Sequence, residues 1–350
     1  MCYLKTKQII NYIMSIIEYV WIGGNNELRS KTKVVDYKVT DGKDNLHNIP
    51  EWNYDGSSTE QAIGKHSEII LKPKASFKDP FRPDGNNLLV LCDTYDPLGE
   101  PLPSNTRYNA NKIFQEKLNE EPWFGLEQEY FIIDSDLQID KLPPQGQYYC
   151  SVGAQNAFNR HIAEQHLQYC LKAGIHIAGI NAEVAPGQWE FQIGICEGIE
   201  AGDHLWMARY ILERIGELHH LIIDFSPKPL KGDWNGSGCH TNYSTNAMRN
   251  ENGFCIINEA ILELGEKHKE HMEVYGSGNE QRMTGKHETA AYDKFSFGVG
   301  NRGASVRIGN LTVDEKQGYF EDRRPSSNCD PYLVTSIIFQ TTCLTNNKNK

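Results

Sequence analysis

Trp123-Phe124-Gly125-Leu126-Glu127-Gln128-Glu129-Tyr130-Phe131-Ile132-Ile133 is the stretch from which the rest of the chain is read. Aromatic and β-branched residues dominate it, so it is a strand, and successive side chains leave a strand on opposite faces. Glu127 and Glu129 therefore point the same way. Two carboxylates on one face, flanked by bulky apolar groups, repel each other unless a positive charge lies between them. A hard divalent cation meets that need, because Mg²⁺ and Mn²⁺ prefer carboxylate oxygens. A solvent-facing strand with acids at alternate positions would read the same, and this window alone does not choose.

The rest of the chain narrows the choice. With 350 residues it has room for two domains and a sizeable core, and 39% hydrophobic and 23% charged residues are ordinary for a globular protein. A net charge of −11 argues against a nucleic-acid partner, since no broad face could neutralise phosphates. The nine cysteines form no C-x-x-C pair, and scattered thiols in odd number fit a reducing cytosol better than a disulfide framework. No stretch reaches the roughly 20 apolar residues needed to span a bilayer. The early lysines and apolar run of residues 1–22 faintly resemble a secretory signal. Asn11, Ser15 and Glu18 interrupt that run, and no small-residue cleavage site follows. A cytosolic protein is expected. Residues 1–13 are read as an extension ahead of the fold, dispensable or a start-site artefact, with Met14 just before the first strand.

Short strands separated by Gly, Pro, Asn and Asp clusters run from residue 17 to about 96. They predict a small β-rich domain over 14–100, closed by the proline-rich bridge Asp96–Pro103. Residues 50–58 within it read as loop, and Asp55-Gly56 is by itself a turn signal. Beyond the bridge, helices are expected over about 106–118, 154–173, 202–215 and 258–274. Residues 175–198 alternate like a hairpin carrying Glu183 and Glu190, and 233–244 is a glycine-rich loop entering a polar strand. The fold class is α+β. Four acids at strand-like positions (Glu127, Glu129, Glu183, Glu190), His240 after Gly236-Ser237-Gly238-Cys239, Glu321, and late arginines at 282, 302, 307, 323 and 324 form a set that suits phosphoryl transfer. There, metals and guanidinium groups neutralise charge on the moving phosphate.

These stretches carry a resemblance. The chain resembles the eukaryotic-type (class II) glutamine synthetases from about Tyr19 to Cys343. Trp52–Ser58 is similar to the family's latch loop, Gly125–Tyr130 to its first metal strand and Asn181–Gln192 to its second. Asn235–Asn242 is similar to the ATP-region signature, Gly285–Glu288 to the glutamate flap, Asn301, Arg302 and Arg307 to the arginine strand, and Phe320–Pro325 to the closing motif. The resemblance implies a β-grasp-like N-terminal domain over 14–100. A catalytic domain over 101–350 would contain a curved antiparallel sheet flanked by helices. It implies one cation on Glu129, Glu183 and Glu190 and another on Glu127, His240 and Glu321, two or three Mg²⁺ or Mn²⁺ per site. Glutamate would be bound by Trp234, Gly236, Arg282, Arg302 and Arg323. ATP, the co-substrate, would meet Trp123, Glu127, Glu190, Phe191, Asn242, Ser244, Arg302, Arg307 and Tyr319. Asp55 and Glu288, with Arg302 and Arg323, would be catalytic, Asp55 taking a proton from ammonium. A decamer of two stacked five-membered rings, with sites shared between neighbouring subunits, is also implied.

The chain departs from the family pattern at a few positions. Asp233 stands where Asn is usual, beside the glutamate pocket, where an added negative charge would weaken glutamate binding. Ile195 replaces a Pro, Gly309-Asn310 replaces Pro-Arg, Gly23 replaces an Asp, and the loop at 134–147 is short. A ligase for another amine, a guanidino-kinase-like transferase, or a non-enzymatic relative are the rival readings. An ammonium-sized pocket at Asp55 and Glu288 argues against the first two, and an intact set of metal acids and arginines against the third.

Overall fold

The computed structural model describes residues 14–134, 142 and 145–344, so the expected extension at 1–13 and most of the short loop at 134–147 lie outside the described residues. The chain divides into two compact units, one ending at Asn105 and one beginning at Thr106.

In the first unit five strands lie in the order β2-β1-β5-β4-β3. They are β1 (Ser15–Ile22), β2 (Leu28–Val35), β3 (Trp52–Asp55), β4 (Glu68–Lys78) and β5 (Leu88–Tyr95). β1 and β5 pair in parallel at the centre, and the other pairs are antiparallel. Every residue of β5 is buried, which explains its continuous apolar run, while the edge strand β2 alternates and carries Arg29, Lys31 and Lys33. The proline-rich bridge belongs to this unit. Leu102 packs against its core and donates its N–H to Thr94 O at 3.1 Å, and Asn105 Nδ2 donates to the same carbonyl. The segment expected to be loop at 50–58 contains β3, whose Trp52 and Tyr54 pack with the core.

In the second unit the strands are β6 (Trp123–Ile133), β7 (Ile177–Ala182), β8 (Gln188–Glu197), β9 (Ile222–Asp224), β10 (Cys239–Ser244), β11 (Phe297–Val299), β12 (Val306–Ile308) and β13 (Phe320–Asp322). They form one sheet in the order β11-β12-β13-β10-β6-β8-β7, with β9 on β6. It is antiparallel, as expected, with one parallel pair, β11 and β12, at its edge. The helices are α1 (Thr106–Glu116), α2 (Arg160–Ala173), α3 (Glu200–His219), α4 (Asn246–Arg249), α5 (Gly253–Glu266), α6 (His268–Val274), α7 (Asn310–Glu315) and α8 (Pro331–Phe339). Two expected helices differ. α2 starts only at Arg160, because Asn159 sits in the left-handed region ahead of it, and the expected helix over 258–274 is broken at Lys267 into α5 and α6.

Alternation along β6 divides the sheet. Phe124, Leu126, Gln128 and Tyr130 are buried, with the Phe124 ring 5.9 Å from Phe114 of α1, and Phe114 in turn 5.4 Å from Phe339 of α8. Gln128 is polar yet fully buried, and Arg209 of α3 satisfies it by donating Nε and Nη2 to its Oε1 at 2.9 and 2.6 Å. The other face is the one that carries the acids.

Candidate functional site

Strand register, more than proximity in sequence, assembles the site. Glu129 of β6 lies directly across from Glu190 of β8, and Glu127 across from His240 of β10. Glu321 of β13 lies across from Asn242 of β10 on one side and Arg307 of β12 on the other. Glu127, Glu129, Glu190, His240, Arg307 and Glu321 open on one cavity of 330 Å³, which Glu183, Gly236, Arg282, Glu288, Arg302 and Arg323 also line.

The electrostatics of that cavity are unbalanced. Like charges directly across a strand pair destabilise it. Burial, then Glu129 and Glu190, push the carboxyl of Glu183 up to about 9. Burial, then Glu127 and Glu129, push that of Glu190 up to about 8. Glu127 goes the other way: burial opposes its charge, but His240 and Asn242 outweigh that and hold it at about 2. Its Oε1 accepts from Asn242 Nδ2 at 2.9 Å, and Oε2 lies 3.5 Å from His240 Nδ1. Glu129 Oε2 accepts the Gly238 N–H at 2.7 Å, and Glu190 Oε1 accepts from Gln192 Nε2 at 2.8 Å. Glu321 is bracketed by Arg323 at 2.6 Å and Arg307 at 2.9 Å. Ligand atoms of Glu127, His240 and Glu321 lie within 4.8 Å of one another, and so do those of Glu129, Glu190 and His240. Glu183 lines the cavity without joining either trio. Several buried carboxylates that cannot all ionise together, with one imidazole among them, are a donor set that fits hard divalent cations.

Arginines supply the opposite sign. Arg282 is buried, and its Nε and Nη2 are spent on Asn279 and on the carbonyls of Arg323, Arg324 and Pro325. Burial lowers its guanidinium to about 10. It passes tightly behind the glycine-rich loop: a Cβ on Gly236 would lie 2.4 Å from Pro227 O and 2.5 Å from Arg282 Cγ. Arg302 is exposed at the rim, and its carbonyl accepts from Arg323 Nε at 3.1 Å. Glu288 is exposed on the 285–288 turn, where His287 and Glu288 both have positive φ, and its carbonyl accepts from Arg323 Nη2.

The structure separates some residues that the sequence reading groups. Phe191 is fully buried on the opposite face, 4.7 Å from the His166 ring, and lines neither cavity. Trp234 packs against the Phe131, Ala185 and Leu230 cluster, outside the cavity lining. Trp123, Asn242, Ser244 and Tyr319 line a second, mostly apolar hollow of 360 Å³, where Arg249 stacks 3.7 Å above the Trp123 ring. Asp55 ends β3 in the first unit. It caps the following turn by accepting from the Ser57 N–H at 3.1 Å and Ser57 Oγ at 2.8 Å, and Ser57 foremost holds it at about 2.

Asp233 does not face the cavity. Its Oδ1 accepts from His287 Nε2 at 2.8 Å, so its charge is engaged by the 285–288 turn. Tyr149, Asn181, Gln192, Asn235 and His287 line the cavity and were not singled out from sequence. For Gln192 the signal was present, two positions from Glu190 and so on the same face of β8.

Comparison with known proteins bears on the family of the chain. The glutamine synthetase catalytic-domain family matches residues 104–268. The chain is 56% identical over 339 residues to glutamine synthetase cytosolic isozyme 2 of Vitis vinifera, covering 94% of each chain. It is equally similar, over the same shares, to the cytosolic isozyme 1-1 of Oryza sativa. This chain belongs to the eukaryotic-type glutamine synthetase family. Its activity is that of the family, glutamate–ammonia ligation, with glutamate, ammonia and ATP as substrates and a requirement for divalent metal. A glutamine synthetase of Plasmodium falciparum shares the fold, with a TM-score of 0.76 over 96% of this chain and 73% of that one, at 17% identity. No disulfide is found among the described cysteines, and no helix among the described residues is long and apolar enough to cross a membrane.

Proposed function

We propose that this chain ligates ammonia to L-glutamate in the cytoplasm through γ-glutamyl phosphate, releasing glutamine, ADP and phosphate, and that the cavity between β6, β8, β10 and β13 is where it does so. The observation that carries this reading is the gathering of Glu127, Glu129, Glu183, Glu190, Glu321 and four arginines around one 330 Å³ space. Glu129, Glu183 and Glu190 would hold one Mg²⁺ or Mn²⁺, and Glu127, His240 and Glu321 another. Such ions neutralise charge on a phosphoryl group in transit.

The chain's own groups do the rest. Arg282 anchors a carboxylate of glutamate, its Nη1 uncommitted among the described residues while Nη2 and Nε are held by backbone and Asn279. Gly236 lines that pocket, while Trp234 packs on the Phe131, Ala185 and Leu230 cluster outside its lining. Arg302 and Arg323 stabilise the phosphate as it leaves ATP. The apolar hollow of Trp123, Asn242, Ser244 and Tyr319 takes the nucleotide, whose phosphates then reach Arg307. Phe191 serves the same site from behind, as core under Glu190. The γ-carboxylate oxygen of glutamate attacks the γ-phosphorus, and the bond to ADP breaks. Asp55 takes a proton from ammonium, and the freed lone pair displaces phosphate from the acyl carbon. Glu288 completes the ammonium pocket, and closure of its turn keeps water from the acyl phosphate. Catalytic units assemble as two stacked five-membered rings.

ADP release with glutamate, ATP and Mg²⁺ tests this directly. Ammonium should support turnover and methylamine or a polyamine should not. Equal rates with the larger amines would overturn the ammonium pocket, and no amine-dependent release would overturn the ligase assignment.

A further inference from the structure

Outside the carboxylate centre, three residues of different elements bring metal-binding atoms together. His176 lies just before β7, Cys196 is in β8, and His204 is in the second turn of α3, and their ligand atoms all lie within 4.8 Å of one another. None of them lines either cavity. We propose that His176, Cys196 and His204 bind a borderline-soft divalent cation, Zn²⁺, at a site chemically distinct from the carboxylate centre.

The geometry suits that ion. Zinc bonds of about 2.3 Å to sulfur and about 2.0–2.1 Å to nitrogen, at a tetrahedral angle, separate the two ligand atoms by about 3.5–3.6 Å. Cys196 Sγ lies 3.6 Å from His176 Nδ1. The two imidazoles face each other with centroids 4.6 Å apart and planes tilted 35°, as two rings converging on a common point would. The backbone already fixes this corner. Gly194 donates its N–H to the His176 carbonyl at 2.6 Å, and His176 donates its own N–H to His204 Nδ1 at 3.1 Å. Recruiting that nitrogen exchanges one hydrogen bond for a metal bond, and the thiol proton leaves to water as the sulfur–metal bond forms.

Burial grades outward, with Cys196 buried, His204 half-buried and His176 exposed. The sulfur therefore forms the floor, and the fourth coordination position opens to solvent, where a water completes the shell. The ligand types separate the two kinds of site. Thiolate with two imidazoles favours zinc and disfavours Mg²⁺, whereas the glutamate cluster also accepts Mg²⁺ or Mn²⁺. A cation here ties the start of β7 and the end of β8 to α3, the two strands that lead to Glu183 and Glu190.

The test uses the full chain with its carboxylate centre filled by excess Mg²⁺, titrated with Co²⁺ as a spectroscopic stand-in for zinc. One equivalent should give a sulfur-to-cobalt charge-transfer absorption and the intense visible bands of tetrahedral cobalt. Zn²⁺ should displace both and raise the melting temperature. Cys196→Ser should abolish the charge-transfer band. His176→Ala, at an exposed position that leaves the fold intact, should weaken binding by ~10-fold or more, since even outer-shell partners are worth that much. Weak octahedral absorption in the wild type, or a charge-transfer band that survives Cys196→Ser, would overturn the proposal. So would unchanged affinity in His176→Ala.

Discussion

Glu190 faces Glu129 across the β6–β8 ladder, and the two share a cavity with Glu183. Ionising all three without a cation is costly, which is why burial and neighbouring charge push Glu190 up to about 8 and Glu183 up to about 9. Both values lie above the 4.5 of an ordinary glutamate, so the folded, metal-free protein keeps protons that the unfolded chain has released. Stability contributed by these groups is therefore present at low pH and lost as pH rises through 8 and 9, at up to about 1.4 kcal/mol per pH unit per group. Buried His271 and His166, lowered to about 3 and about 4 by desolvation, titrate far below that window and do not mask it. In excess chelator, wild type should melt at a lower temperature at pH 9 than at pH 7. Glu190→Gln should flatten that slope and raise the metal-free melting temperature while abolishing turnover. Thermal scans at the two pH values check it, and a slope unchanged in Glu190→Gln would show that the carboxylate repulsion is not expressed.

A single three-residue strand shows how neighbouring positions take different duties. In β13, Glu321 opens on the cavity, whereas Asp322 turns to the buried side and pairs with Arg324 at 2.6 Å, both fully buried. Tyr275 donates its hydroxyl to Asp322 Oδ2 at 2.7 Å and is itself 2.6 Å from His271 Nδ1, so the pair sits inside a connected network. Removing one partner of such a pair leaves an uncompensated buried charge, and Asp322→Asn should cost about 3–5 kcal/mol in urea unfolding. Glu321→Gln removes the partner of Arg323 and Arg307 and so should also cost stability, but less than Asp322→Asn, because it relieves acidic crowding and those arginines line the cavity, and it should remove activity. Equal destabilisation by the two would contradict this division of faces. The alternation behind it was legible in sequence for β6, where bulky residues bracket Glu127 and Glu129. The register that sets Glu129 against Glu190 was not, since it depends on long-range pairing. The break at Lys267 was hidden because apolar spacing continues across it. The burial of Phe191 follows from its parity beside Glu190, and a family motif read as a string carries no parity. His176, Cys196 and His204 were invisible for a related reason: they come from three elements with no ligand-like spacing, and only the fold unites them.

For the molecule as a whole, the two units divide the proposed chemistry. Asp55 belongs to the unit ending at Asn105, and the six proposed metal ligands and the arginines all belong to the one beginning at Thr106. If each site is completed by the Asp55 of a neighbouring subunit, a head-to-tail contact that closes on itself produces a ring, and the defects in two different chains complement. Asp55→Ala should remove the group that takes the ammonium proton. Its carboxylate is solvent-exposed and held by Ser57 and Ser58, so the loss should leave the fold intact. Arg323→Ala should remove phosphate stabilisation and release Glu321 from its 2.6 Å partner. Each variant alone should be nearly inactive. Co-expressed in equal amounts with random assembly, an intact first unit should meet an intact second unit at roughly a quarter of the sites. Activity should return to about that fraction of wild type, and it should co-elute with ring-sized particles on size exclusion. Mixed rings, verified by differential tags, that remain inactive would show that Asp55 acts within its own chain, and the shared-site assembly would then be wrong.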